Sequence, residues 1–306
     1  MRDAFFERLV EVARIDERIV VLSADHGAFA LEKFQEEMPE RYINMGIAEQ
    51  NMVGVAAGLA SSGKIVFIYG ITPFVSLRVL EQLTLDVAAM QLPVNVISVG
   101  AGFTYSTDGP THQGLQDVAA ISTIPGMTIL NSSDPTNTRA FVNLAVNSEK
   151  PHYIRIEKEK LESFTRLNPS YLEDGFSVLK QGNSATCVIS TGFICHDVLS
   201  IIEEIGNENL TLIDMHNLSN PNINSLTQFL ERFTAIISIE ENYTSGMSML
   251  LSKFITFNRL DIKLNAIGVQ DNFVYHSADR TSVLKYCGLD RHNLHKKITE
   301  FLNNNS

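Results

Sequence analysis

Several residues in this chain have types and spacings that could do chemistry. Glu49 is the one carboxylate in a run of small and apolar residues, N-M-G-I-A-E-Q-N-M-V-G-V-A-A-G-L-A-S-S-G, that spans 44–63. No Lys or Arg lies near it in sequence. A carboxylate withdrawn into such a run must find a partner from elsewhere or take up a proton. It could equally be a helix-N-terminal carboxylate favoured by the helix dipole. Asp108 and His112 lie in D-G-P-T-H-Q, where Asp-Gly-Pro enforces a turn and brings an acid and an imidazole out on one loop. They could also cap that turn and the helix after it. Arg155, in H-Y-I-R-I-E-K, falls inside a strand whose Ile154 and Ile156 point to the opposite face. Such an arginine is either paired or reaching for an anion. Asp25, in L-S-A-D-H-G, follows a strand end, where parallel sheets bind ligands. A helix N-cap is the alternative there. Phe74 follows Pro73 at a strand-to-helix junction and is either core or a flat face for a flat ligand. Arg78 and Glu81, one helical turn apart, can pair.

These residues need elements to hold them. From Glu49 the pattern is helical, with Met52, Val55, Ala56 and Leu59 at i, i+3, i+4, i+7. Gly54 and Gly58 share a face of that helix. Interior glycines cost about 1 kcal/mol each relative to alanine. Close packing against another backbone is therefore expected, in a helix that is buried. Strand-like apolar runs at 19–23, 66–69, 94–99, 128–130 and 153–156 are separated mostly by helical patterns. Asp134-Pro135 reads as an N-cap with Pro at the first helical position. A polar, turn-rich stretch after Lys158 is the linker candidate. A second alternation follows at 186–190, 210–214, 235–239 and 262–267. The expectation is two α/β domains, 1–165 and 175–306, the first built on a parallel sheet covered on both faces.

Composition narrows the function classes. The chain has 306 residues, 44% hydrophobic and 19% charged, enough for a sizeable core. A net charge of −11 without a Lys/Arg-rich run argues against a nucleic-acid or anionic-membrane surface. The three cysteines (Cys187, Cys195 and Cys287) form no C-x-x-C and suggest neither a disulfide framework nor zinc spacing. A reducing, cytoplasmic setting is expected. The opening M-R-D-A-F-F-E-R-L-V reads as a charged amphipathic helix, and no apolar run is long enough to span a membrane.

The segment G-I-A-E-Q-N-M-V-G-V-A-A-G-L-A resembles the pyrimidine-binding segment of the transketolase family of thiamine diphosphate enzymes. The resemblance implies that Glu49 hydrogen-bonds N1′ of the cofactor's aminopyrimidine and promotes the tautomer that deprotonates the thiazolium. A desolvated carboxyl shares that proton better than a solvated one. It further implies that Phe74, in the F-x-x-x-R-x-x-E-Q form, stacks on the pyrimidine with Arg78 beside it. Asp25, in S-A-D, is implied to lie near the thiazolium. D-G-P-T-H-Q matches the family motif whose aspartate and histidine contact donor hydroxyls, so Asp108 and His112 take those roles. Arg155 and Arg2 are implied to bind the substrate's phosphate. Three positions depart from the pattern. His26 and Phe29 stand where the family commonly has an apolar residue and a phosphate-contacting serine, and Gly100, eight residues before Asp108, stands in place of a histidine. Phe29 and Gly100 put the usual sugar-phosphate specificity in doubt. In the second half, S-T-G-F, D-M-H-N-L, S-I-E-E-N-Y-T-S-G-M and V-L-K-Y-C-G-L-D resemble the family's C-terminal domain, and Glu240, Glu241 and Asn242 are expected to organise a domain interface.

The diphosphate half of the cofactor site is normally a separate domain with G-D-G and a later Asn that hold Mg²⁺. This sequence contains no G-D-G. The resemblance therefore implies the C-terminal subunit of a transketolase split in two, inactive alone. It would share thiamine diphosphate with an N-terminal partner that also binds Mg²⁺, and pair with itself in an α2β2 heterotetramer. It would move a two-carbon ketol unit from an anionic ketose to an aldose. Two other readings stay open: a β-type subunit of a 2-oxo acid dehydrogenase, and a non-catalytic regulatory relative.

Overall fold

A computed structural model describes residues 1–25, 29–164, 171–206 and 209–304. Strands β1 (Ile19–Ser23), β2 (Tyr42–Asn44), β3 (Ile65–Ile71), β4 (Val94–Val99), β5 (Thr128–Asn131) and β6 (His152–Ile156) form a six-stranded sheet. Its order is β2-β1-β3-β4-β6-β5 and every pairing is parallel. Side chains alternate between the two faces, and both faces are buried. Val20, Leu22, Val66 and Ile68 enter one core, where they meet Met52, Ala56, Leu83 and Val118. Ile19, Val21, Ile65 and Phe67 enter the other, with Phe5, Phe6, Leu9 and Phe141. The helices that supply these layers are α1 (Arg2–Ala13), α2 (Phe29–Glu37), α3 (Glu49–Ser61), α4 (Leu80–Gln82, continuing into a π turn over Leu83–Ala88), α5 (Asp117–Ile121) and α6 (Pro135–Val146). Asp134 caps α6 with a full capping box, with Pro135 in the first turn, as the sequence suggests.

The second sheet runs β11-β10-β8-β9-β7. Its strands are β7 (Phe176–Lys180), β8 (Thr186–Ser190), β9 (Thr211–Met215), β10 (Ala235–Tyr243) and β11 (Lys263–Val269). They are joined and flanked by α7 (Tyr171–Asp174), α8 (Ile194–Glu204), α9 (Ile223–Leu230), α10 (Met247–Phe257), α11 (Arg280–Tyr286) and α12 (Arg291–Asn304). The edge strand β7 pairs antiparallel with β9, which the alternating pattern does not reveal. An antiparallel edge on an otherwise parallel sheet is a common arrangement. The linker candidate includes 165–170, which lies outside the described residues. No helix among the described residues is long and apolar enough to cross a membrane.

Helix α3 differs from its expected setting. Glu49, Met52, Val53, Ala56, Ala57 and Ala60 are buried, whereas Gly54 and Gly58 face outward. A Cβ at either glycine would meet nothing within 4 Å. The small-residue face thus has no partner among the described residues. The apolar stripe is rotated toward the alanines, because they, not the glycines, lie against the sheet.

Candidate active site

All strands of the first sheet are parallel, so their C-terminal ends share one edge. β2 lies on one side of β1 and β3 on the other, which makes the β1–β3 boundary the switch point where such sheets open a crevice. Asp25 follows β1, and Phe74 and Arg78 follow β3. Glu49 begins α3, and its residue is only 3% exposed. Its N-cap, Ala48, offers no side-chain cap, so the first turn of α3 presents bare N–H groups beside the carboxylate.

Glu49 has its partner. Arg78 Nη1 donates to Glu49 Oε1 at 2.7 Å, and Gln50 Nε2 holds the Arg78 carbonyl at 3.1 Å. Arg78 therefore pairs with Glu49 across the fold, while the one-turn Arg78–Glu81 pair is not formed. The guanidinium carbon lies 4.1 Å above the Phe74 ring centroid. The His112 ring meets Phe74 edge-on, with centroids 5.1 Å apart. Glu49, Arg78, Phe74 and His112 thus form one continuous set of contacts drawn from three loops.

Asp25 stands nearby in the left-handed region, φ 55°. Its N–H donates to Asn44 Oδ1 at 3.0 Å, and the same oxygen accepts from Gly46 N at 3.0 Å. Asn44 therefore fixes both Asp25 and the approach to α3, a role that only the β1–β2 pairing reveals. The segment after Asp25 covers 26–28, outside the described residues, and the side chain of Phe29 lies outside them too.

Asp108 closes a short 3-10 turn, Ser106–Asp108, and is exposed. His112 is half-buried, with Nδ1 at 2.9 Å from the Thr111 hydroxyl, so Nε2 is the nitrogen left for a ligand. His112 does not cap α5, whose N-cap is Gln116. Gly100 has a structural reason to be glycine: its φ is +104°, and a Cβ there would sit 2.6 Å from the Tyr105 ring. The Tyr105 ring thus occupies the space that a side chain at 100 would need. Arg2 lies beside the Tyr69 and Tyr105 phenols, with its Nε on Asp3 Oδ1 at 3.1 Å. Burial pushes the Tyr105 phenol up, while Arg2 draws it down. Lys158 Nζ lies 5.7 Å from the Tyr105 centroid. Two cations thus flank one phenol at the ends of β4 and β6.

Arg155 departs from the anion-binding expectation. Its fork is committed to Asp117, with Nε to Oδ2 at 2.6 Å and Nη2 to Oδ1 at 3.2 Å. Nη1 also reaches Asn131 Oδ1 at 3.2 Å, and Nη2 the Gly114 carbonyl at 3.0 Å. The two side chains are 4% and 1% exposed. Of the two readings open for a strand arginine, the structure shows the paired one. Glu240 accepts from the Met247 and Ser248 N–H groups at the start of α10, each at 2.7 Å. Glu241 instead crosses to the first sheet's loops, where it accepts from Phe103 N at 2.7 Å.

The family model "Transketolase, pyrimidine binding domain" matches residues 1–163. The chain is 29% identical over 306 residues to an apulose-4-phosphate transketolase subunit of Phocaeicola vulgatus, covering 98% of this chain and 97% of that one. It is 31% identical over 277 residues to the 6-deoxy-6-sulfo-D-fructose transketolase subunit SqwH of Clostridium sp. (strain MSTE9), covering 89% and 85%. A solved structure described as "Split gene transketolase, inactive beta4 tetramer" superposes with a TM-score of 0.86 at 27% identity, covering 98% of this chain and 97% of that one.

Proposed function

The chain belongs to the transketolase family, and on that premise we propose that it is the pyrimidine-binding subunit of a two-subunit, thiamine diphosphate-dependent transketolase. The observation that carries the reading is the buried Glu49 at the start of α3, set beside Phe74 at the sheet's switch point. The residues present fit an aminopyrimidine. Arg78 already lays a planar N–H group over the Phe74 face and onto Glu49 Oε1, the position and shape that a pyrimidine ring holding the shared proton on its nitrogen would take. Glu49, Phe74 and Asp25 would hold the cofactor, with Arg78 releasing the Glu49 oxygen.

Bound there, thiamine diphosphate supplies the nucleophilic carbon that cleaves a ketose beside its carbonyl. Glu49 holds the proton shared with the ring nitrogen. The packed wall around it keeps water from competing for that proton. Phe74 gives the ring a flat apolar support. His112 Nε2 and the Asp108 carboxylate orient the donor's hydroxyls and exchange protons with them. The diphosphate and Mg²⁺ fall to a partner subunit, since this sequence lacks G-D-G. The apulose-4-phosphate transketolase subunit and the "split gene" structure, both matched nearly end to end, support the two-subunit reading.

The apulose-4-phosphate and 6-deoxy-6-sulfo-D-fructose transketolase subunits name a phosphate ester and a sulfonated sugar, which supports an anionic ketose as the donor here. Arg2 and Lys158, flanking Tyr105, are the cations placed for its anion, because Arg155 is already paired. The outward Gly54/Gly58 face of α3, with Leu77 and Leu85 exposed on the turns that pack against α3, is the surface for assembly. Titration calorimetry tests the reading. Thiamine diphosphate should bind weakly to this chain and tightly to its complex with a G-D-G-bearing partner. Tight binding by the chain alone would overturn the shared site.

A further inference from the structure

The loop 101–114 carries Asp108 and His112, and residues of the second sheet's half of the chain hold it along its length. Phe103 N donates to Glu241 Oε1 at 2.7 Å. Ser277 Oγ donates to the Thr107 carbonyl at 2.7 Å, and Gln113 Nε2 donates to the Val274 carbonyl at 3.0 Å. Gly102 lies so close to Glu241 that a Cβ there would sit 2.6 Å from its carboxylate oxygen.

One guanidinium organises this grip. Arg280, at the start of α11, donates Nε to Glu241 Oε1 at 2.9 Å and Nη2 to Glu241 Oε2 at 2.8 Å. It also donates to both oxygens of Glu157, each at 3.0 Å. Glu157 in turn accepts the Thr104 hydroxyl. Glu157 and Glu241 are 2% and 7% exposed, and Arg280 stacks 3.6 Å from the Phe193 centroid. Two buried carboxylates stay side by side only while a cation lies between them. Without it, the carboxylates repel, and the Glu241 oxygen that holds Phe103 is the movable part.

We infer that Arg280 is a positioning residue for the donor site: through Glu241 and Glu157 it fixes the loop that presents Asp108 and His112. The second half of the chain thus sets donor recognition in the first. This rests on the transketolase reading for what the loop contacts, but not for how it is held. Glu49 and Phe74 make no bond to the grip and meet the loop through the edge-on His112–Phe74 contact, so donor binding should suffer more than cofactor binding.

The test uses the complex with the partner subunit and the variants Arg280→Met, Arg280→Lys and Ser277→Ala. In Arg280→Met, donor kcat/KM should fall about ten- to a hundredfold, as small misplacements of orienting groups do. Most of the fall should lie in KM, with a smaller loss of cofactor affinity, because Glu49 and Phe74 sit on other elements and touch the loop through the His112 ring edge. Arg280→Lys should recover part of the loss, and Ser277→Ala should shift KM in the same direction by less. Hydrogen exchange gives a readout independent of activity: the Phe103 amide should lose protection in Arg280→Met. If Arg280→Met does not fold, Arg280→Lys carries the test on its own, since an ammonium keeps the buried charge but not the fork that spans both carboxylates, and Phe103 protection should still fall. Unchanged Phe103 protection, or equal losses of cofactor and donor affinity, would overturn the inference. A wild-type complex that turns over no ketose, yet shows the Phe103 effect, would sink the functional reading and leave the loop-holding inference standing.

Discussion

Arg155→Ala should damage stability far more than substrate binding. Its guanidinium makes two bonds to Asp117 and one each to Asn131 and the Gly114 carbonyl, in a site where both charged side chains are nearly sealed from water. Truncation leaves the Asp117 carboxylate buried with the Tyr153 hydroxyl as a remaining donor at 2.8 Å. Breaking a buried pair from one side costs about 3–5 kcal/mol. Asp117 sits in the first turn of α5, where the helix end offsets about 0.3–1 kcal/mol of that. The expected loss is therefore about 2–5 kcal/mol, a large part of the roughly 5–15 kcal/mol that holds a typical protein folded. Urea unfolding followed by circular dichroism reads it as a lower midpoint. Arg155→Met combined with Asp117→Leu should recover most of the loss, because neither charge is then stranded. An unchanged midpoint in Arg155→Ala, with a KM raised for a phosphorylated donor but not for a neutral one, would refute the reasoning and return Arg155 to the substrate.

Glu49→Gln should lower kcat of the reconstituted complex by about 10²–10⁴-fold, the usual worth of a positioned acid–base group; unchanged proton exchange at C2 of the bound cofactor would mean that Glu49 acts elsewhere. Gly58→Leu should leave the folded chain intact, since nothing lies within 4 Å of a Cβ there, yet break the assembly. Light scattering that shows an unchanged assembly would place the interface on another face. Asp214 is buried beneath the Ser133 hydroxyl, and burial pushes its carboxyl up to about 8. The folded state then keeps a proton that the unfolded chain releases near pH 4, so this group's contribution is full below about pH 4 and is lost as pH rises toward 8. Asp214→Asn removes that slope. Its urea stability should gain on wild type by on the order of 3 kcal/mol between pH 5 and pH 8, and a constant difference would show that Asp214 does not titrate in this window.

Local patterns were legible in the sequence, and long-range partners were not. Periodicity located the strands of the first sheet apart from β2, whose three residues carry too little pattern to stand out. It also located the capped start of α6, because both depend on neighbours in sequence. Glu49 was recognisable as a carboxylate in need of a partner, but Arg78 lies 29 residues away and had Glu81 as a nearer candidate. The fate of Arg155 turned on Asp117, 38 residues back, a residue with no pattern of its own. Gly100 read as a missing histidine, whereas the structure shows a tyrosine ring in the way. Glu241 was read correctly as an interface residue, but the cation that makes it one, Arg280, gave no signal in a polar stretch near the start of α11.

The central claim is that this chain supplies half of a cofactor site and that Glu49 is its working carboxylate. The most direct measurement is ketose turnover by this chain alone, by a diphosphate-half partner alone, and by the two together, with wild-type and Glu49→Gln chains. The account predicts turnover only in the mixtures, saturating at a one-to-one ratio, and about 10²–10⁴-fold slower with Glu49→Gln than with wild type. Turnover by either component alone, or by the Glu49→Gln mixture at the wild-type rate, would contradict it.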